Sequence, residues 1–70
     1  MSFRVKLSTV EGSPLSVELI DDAREADDYF RQVQKDDTLF DDMPFTVLLL
    51  SMEELCHGEW VMISSKIMRP

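Results

Sequence analysis

The chain's only histidine and only cysteine are neighbours, Cys56-His57, and such a pair is the first place to look for a nucleophile and its base. Adjacent residues on a strand point to opposite faces, and in a tight turn they seldom reach nucleophile–base geometry. The pair therefore reads as a small cysteine beside a turn histidine. The second candidate is carboxylate chemistry at Asp36-Asp37 with Asp41-Asp42, since hard divalent cations take clustered carboxylates. Their spacing does not match an EF-hand loop, whose ligands alternate around a glycine, and the expectation is that no metal is held there. Gly12 and Gly58 are the only glycines, so a glycine-rich phosphate loop is excluded, and one Cys with one His excludes zinc spacing. These absences predict a protein with no catalytic residues and no cofactor.

The elements that carry these residues follow from hydrophobic period. Phe3, Val5 and Leu7 alternate with Arg4, Lys6 and Ser8; a Glu11-Gly12-Ser13-Pro14 turn follows; then Leu15, Val17 and Leu19 alternate with Ser16 and Glu18. This predicts a β-hairpin of residues 2–10 with 15–20, whose second face (Arg4, Lys6, Ser8, Ser16, Glu18) lies in water. Ala23, Ala26, Phe30 and Val33 then recur at helical steps, with Tyr29 at the stripe's edge, predicting a helix over 22–35. Asp21 or Asp22 caps its start, and Glu25 sits where the helix dipole favours an acid. A loop follows to Pro44. Phe45–Leu50 and Trp60–Ile67 read as strands with His57-Gly58 as the turn between them. Ser51-Met52-Glu53-Glu54 also fits a capping box, so residues 51–56 read either as one helical turn or, on balance, as part of a long hairpin. The expected fold is α+β: one small domain over 1–70, in ββαββ order, an antiparallel sheet of two hairpins with one helix packed on one face.

Length and composition bound what such a domain can do. Seventy residues hold one small core, near the limit where a chain needs a staple or a partner. A lone cysteine favours a reducing compartment, and the charged start and the lack of an apolar run near the roughly 20 residues of a membrane span predict a cytoplasmic protein. The net charge of −7 argues against direct binding to nucleic acid.

That charge is unevenly spread. Residues 21–42 carry nine acids against Arg24, Arg31 and Lys35, and four Asp-Asp pairs punctuate them. Asp27 with Arg31 and Arg24 with Asp28 offset one another at i+4, and Asp pairs serve caps and turns. The concentration of acid exceeds what solubility needs. The functional reading is a face that binds something basic through Asp21, Asp22, Glu25, Asp28, Tyr29, Asp36, Asp37, Asp41 and Asp42. Acids one helical turn apart lie about 6 Å apart along the axis, close to the spacing of phosphates on an extended strand, so the face can enter a Lys/Arg-lined groove meant for DNA or RNA. Short acidic single-domain chains are frequent among stoichiometric inhibitors made by phages and other mobile elements, anti-CRISPR proteins included, and that analogy gives the expected role. The expected partner is another protein with such a basic surface. A second possibility is a homodimer or assembly protein pairing through an apolar sheet face of Leu48, Leu50, Trp60 and Met62, which one helix is expected to leave for another cover: the 36–44 loop with Leu39, Phe40 and Met43 first, a second copy of the chain, or a different protein.

Overall fold

The computed structural model describes residues 2–44 and 46–70. Its elements are β1 (Phe3–Thr9), β2 (Pro14–Ile20), α1 (Ala23–Gln34), β3 (Leu48–Cys56) and β4 (Glu59–Met68). The strands form one antiparallel sheet in the order β2-β1-β3-β4, with the helix packed against it. The ββαββ order and the α+β class are those the sequence predicts.

Local chemistry explains the joints. In the first turn Gly12 takes φ +99°, and the Thr9 hydroxyl accepts from the Ser13 N–H at 3.1 Å. Asp22, rather than Asp21, caps α1: one of its carboxylate oxygens accepts from the N–H groups of Arg24 (2.7 Å) and Glu25 (3.1 Å). The second hairpin turns on His57 and Gly58, both left-handed at φ 52° and 81°, as a type I′ turn requires. Residues 51–56 are strand, so the capping-box pattern at Ser51 is not used and the long hairpin forms. β3 starts at Leu48; Thr46 and Val47 precede it, and Phe45 lies outside the described residues.

Two β-bulges decide which side chains share a face. Pairing that ran on regularly from Ser8 opposite Pro14 would put Leu7 opposite Leu15 and Val5 opposite Val17, the arrangement the alternation predicts. The register instead shifts between Leu7 and Ser8, leaving Leu15 as the extra residue, so that Leu7 meets Ser16 and Val5 meets Glu18, while Lys6 meets Val17 and Arg4 meets Leu19. One added residue moves every following side chain to the other face. Ser16 and Glu18 therefore lie on the helix side, and Val17 and Leu19 on the side expected to be polar.

The second bulge lies in β4. Met52 pairs with Ser64 but Glu53 with Met62, leaving Ile63 as the extra residue. Leu48 and Leu50 face the helix, whereas Trp60 and Met62, opposite Leu55 and Glu53, face away from it. The expected common face of Leu48, Leu50, Trp60 and Met62 is thus corrected. Leu48 and Leu50 are 0% exposed and sit in the core with Val5, Leu7, Phe30 and Met68. Leu39, Phe40 and Met43 of the loop pack against that same core, so loop and helix cover the same side.

Candidate functional surfaces

The acidic surface is built on α1 and the loop after it. Ala26 and Phe30 are buried on the sheet and Tyr29 and Val33 half-buried beside them, which turns Asp21, Glu25 and Asp28 to solvent. Asp27 pairs with Arg31 (Nε to Oδ2, 3.1 Å), whereas among the described residues no ion pair joins Arg24 to Asp28. In the loop, one Asp36 carboxylate oxygen accepts from the Thr38 N–H (2.9 Å) and hydroxyl (2.7 Å). The Thr38 hydroxyl first, and its N–H second, hold the Asp36 carboxyl below the ordinary value. Asp37, Asp41 and Asp42 lie exposed on the succeeding turns.

This surface has two concavities astride Tyr29. An open groove of about 300 Å³ between β2 and α1 is lined by Glu18, Ile20, Glu25, Asp28, Tyr29 and Gln32. A smaller cavity of about 120 Å³ beneath the helix end is lined by Val5, Leu7, Ser16, Tyr29, Val33, Asp36, Leu39 and Leu50. Of the acids singled out in the sequence, Glu25 and Asp28 meet at the groove, and Asp36 lies across Tyr29 from them. Asp21, Asp22, Asp37, Asp41 and Asp42 line neither concavity. Glu18 is the residue that sequence reasoning missed. The Leu15 bulge brings it to the helix side, and alternation alone assigns it to the opposite face. A groove with an apolar floor (Ile20, Tyr29) and a carboxylate rim suits a Lys or Arg side chain, whose stem is apolar and whose head is cationic.

The second surface is the sheet face away from the helix. Its centre is a stacked set: Arg4 Nε donates to Glu53 Oε1 at 2.7 Å, and the Arg4 guanidinium lies 4.4 Å from the Trp60 ring centroid. Glu53 is 8% exposed and Ser51 fully buried beside it, its hydroxyl without a hydrogen-bond partner. Around this centre are Val17 and Leu19 on β2 and Met62 and Ile67 on β4, all exposed.

The Cys56 thiol is pushed up by desolvation first and then by the Glu54 carboxylate, the reverse of an activated nucleophile. Among the described residues no three His, Cys, Asp or Glu side chains gather in a way that could hold a metal ion. Among them, too, no helix is long and apolar enough to cross a membrane. No protein-family model matches the chain, and neither a curated protein nor a solved structure matches it. The functional reading therefore rests on the two surfaces.

Proposed function

We propose that this protein is a non-enzymatic binding protein that acts stoichiometrically, presenting α1 and the loop after it to a basic, nucleic-acid-binding surface of another protein. One observation carries this reading. Of the nine acids in residues 21–42, only Asp27 has a basic partner among the described residues, so the rest face outward uncompensated. Such a field speeds encounter and sets orientation, and the Tyr29 concavities supply apolar contact for the stems of basic side chains. Size and acidity place the protein, by analogy, with the inhibitors that phages and mobile elements direct at nucleic-acid-handling defence complexes, CRISPR complexes among them. The cytoplasm is the compartment in which such a partner is met.

The test is capture from a lysate of the native host, or of the host it infects, at about 50 mM and about 500 mM salt, a range that shortens the screening length severalfold. A basic nucleic-acid-binding protein retained only at low salt, displaced by added nucleic acid, and lost with Asp28→Lys/Asp36→Lys is the expected result. Capture that survives this double reversal but fails with Trp60→Ala assigns binding to the sheet face and overturns the proposal. Glu18→Lys, at the groove rim, is expected to weaken capture as Asp28→Lys does.

A further inference from the structure

We propose that the small cavity beneath the end of α1 is a socket for one aliphatic side chain, of leucine, isoleucine or methionine size, which the partner carries beside a basic residue. This rests on the acidic-surface reading and deepens it by naming what enters that surface. The first bulge opens the cavity. A regular ladder would set Leu15 opposite Leu7 on the helix side, but the shifted register sets Ser16 there instead, and Ser16 lines the cavity. A hydroxymethyl group thus stands where an isobutyl group would occupy the space.

Depth, size and charge together select the occupant. Val5, Leu7 and Leu50 are buried and form the floor, Asp36 and Ser16 are exposed at the mouth, and half-buried Tyr29 divides the cavity from the open groove. A lysine or arginine entering tip first would strand its cation on that apolar floor. The side chain that enters is therefore neutral, and the cation stays outside with its stem against Tyr29. An apolar cavity of about 150 Å³ accepts benzene, so the roughly 120 Å³ here accepts an aliphatic side chain but not a phenylalanine ring with its added methylene. Asp36 is the one charged residue in the lining, and among the described residues no lysine or arginine lines either concavity. The Thr38 N–H and hydroxyl both donate to Asp36 Oδ1, which leaves Oδ2 for a cation, and Glu25 and Asp28 lie across Tyr29. An apolar anchor seated in a pocket among charges is where interface affinity concentrates, while the charges themselves govern encounter and orientation.

The test is an NMR titration of the purified chain with N-acetylated, C-amidated leucyl-lysine, alanyl-lysine, phenylalanyl-lysine and leucyl-glutamate, reading the methyl resonances of Val5, Leu7 and Leu50. Leucyl-lysine is expected to shift them saturably in the millimolar range. Alanyl-lysine is expected to bind roughly tenfold or more weakly, because it lacks the methyl groups that would be buried. Phenylalanyl-lysine is expected to leave the three residues unmoved, and leucyl-glutamate to bind about threefold more weakly than leucyl-lysine. Ser16→Leu, which alters no charge, is expected to abolish the leucyl-lysine shift. Asp36→Asn keeps an oxygen that accepts from Thr38 and is expected to weaken that probe about threefold. Should Ser16→Leu fail to fold, the four probes on the wild type decide. Leucyl-lysine that moves none of the three residues, alanyl- or phenylalanyl-lysine that matches it, or a folded Ser16→Leu that binds like the wild type overturns the proposal. The capture experiment fails separately: a basic protein captured through charge while leucyl-lysine moves nothing overturns the socket alone, and a saturable leucyl-lysine shift with no basic protein captured overturns the acidic-surface reading and not the socket.

Discussion

Asp36 shows how one side chain can serve the local fold and the acidic surface together. One of its oxygens is fully occupied by the Thr38 N–H and hydroxyl, which hold the loop's first turn, while the carboxylate itself stays exposed at the edge of the Tyr29 cavity. Its folded value is depressed, so its contribution to stability is complete above the unfolded carboxylate range and is lost as pH falls through the lowered folded value. Thr38→Val removes the larger of the two causes and leaves the backbone donor. An NMR titration of the Asp36 carboxyl is expected to move upward in this variant, toward the ordinary value without reaching it. An unmoved titration would show that the hydroxyl does not hold the carboxylate. The Arg4–Glu53–Trp60 set follows similar logic on the other face. Glu53 is nearly buried, and Arg4 supplies both its counter-charge and, through the planar guanidinium, a stack on Trp60 that lysine does not reproduce.

Elements are where the sequence was most legible and also where it misled. β1, β2 and α1 were readable because their periods are strong, β3 and β4 as apolar runs with residues 51–56 open between strand and helical turn, and the caps and turns because Asp22, Gly12 and Gly58 do chemistry that few other residues do. The acids of α1 were legible as an exposed face for the same reason, since Ala26 and Phe30 fix which side is buried. The bulges were not legible. A period of two assigns faces only while it is unbroken, and nothing in the composition of Ser13-Pro14-Leu15-Ser16 or Met62-Ile63-Ser64 marks the extra residue. Hence Glu18 was missed as part of the groove, and Leu48 and Leu50 were expected to share a face with Trp60 and Met62. A deletion isolates this effect. Removing Ile63 leaves Met62 opposite Glu53 and Ser64 opposite Met52 in a regular ladder, with every other side chain on its present face. The shortened chain is therefore expected to fold, with stability within about 1 kcal/mol of wild type by urea denaturation. Loss of the cooperative transition would show that the bulge is needed for the local twist of the hairpin rather than only for facing its side chains.

At the scale of the whole molecule the protein is two-sided: an acidic side built by the helix and its loop, and a nearly neutral apolar side built by the back of the sheet. This division has a thermodynamic signature apart from any partner. With a net charge of −7 and most of it crowded into residues 21–42, the folded chain repels itself, and added salt relieves that repulsion more than it weakens the two ion pairs among the described residues, one of which is shielded against the sheet. The thermal midpoint at neutral pH is expected to rise between about 20 mM and about 500 mM sodium chloride by about 5 °C, equivalent to about 1 kcal/mol in a domain of this size. Asp28→Lys/Asp36→Lys changes the net charge from −7 to −3 by two units at each site, and should flatten that rise. The salt slope therefore separates the two sides of the molecule: it responds to charge reversal on α1 and the loop, and is expected to be unchanged by Leu19→Ser or Ile67→Ser on the other face. A midpoint that is flat or falls with salt would mean that the acids are compensated one by one in the folded chain, which would remove the uncompensated field on which capture of a basic partner depends.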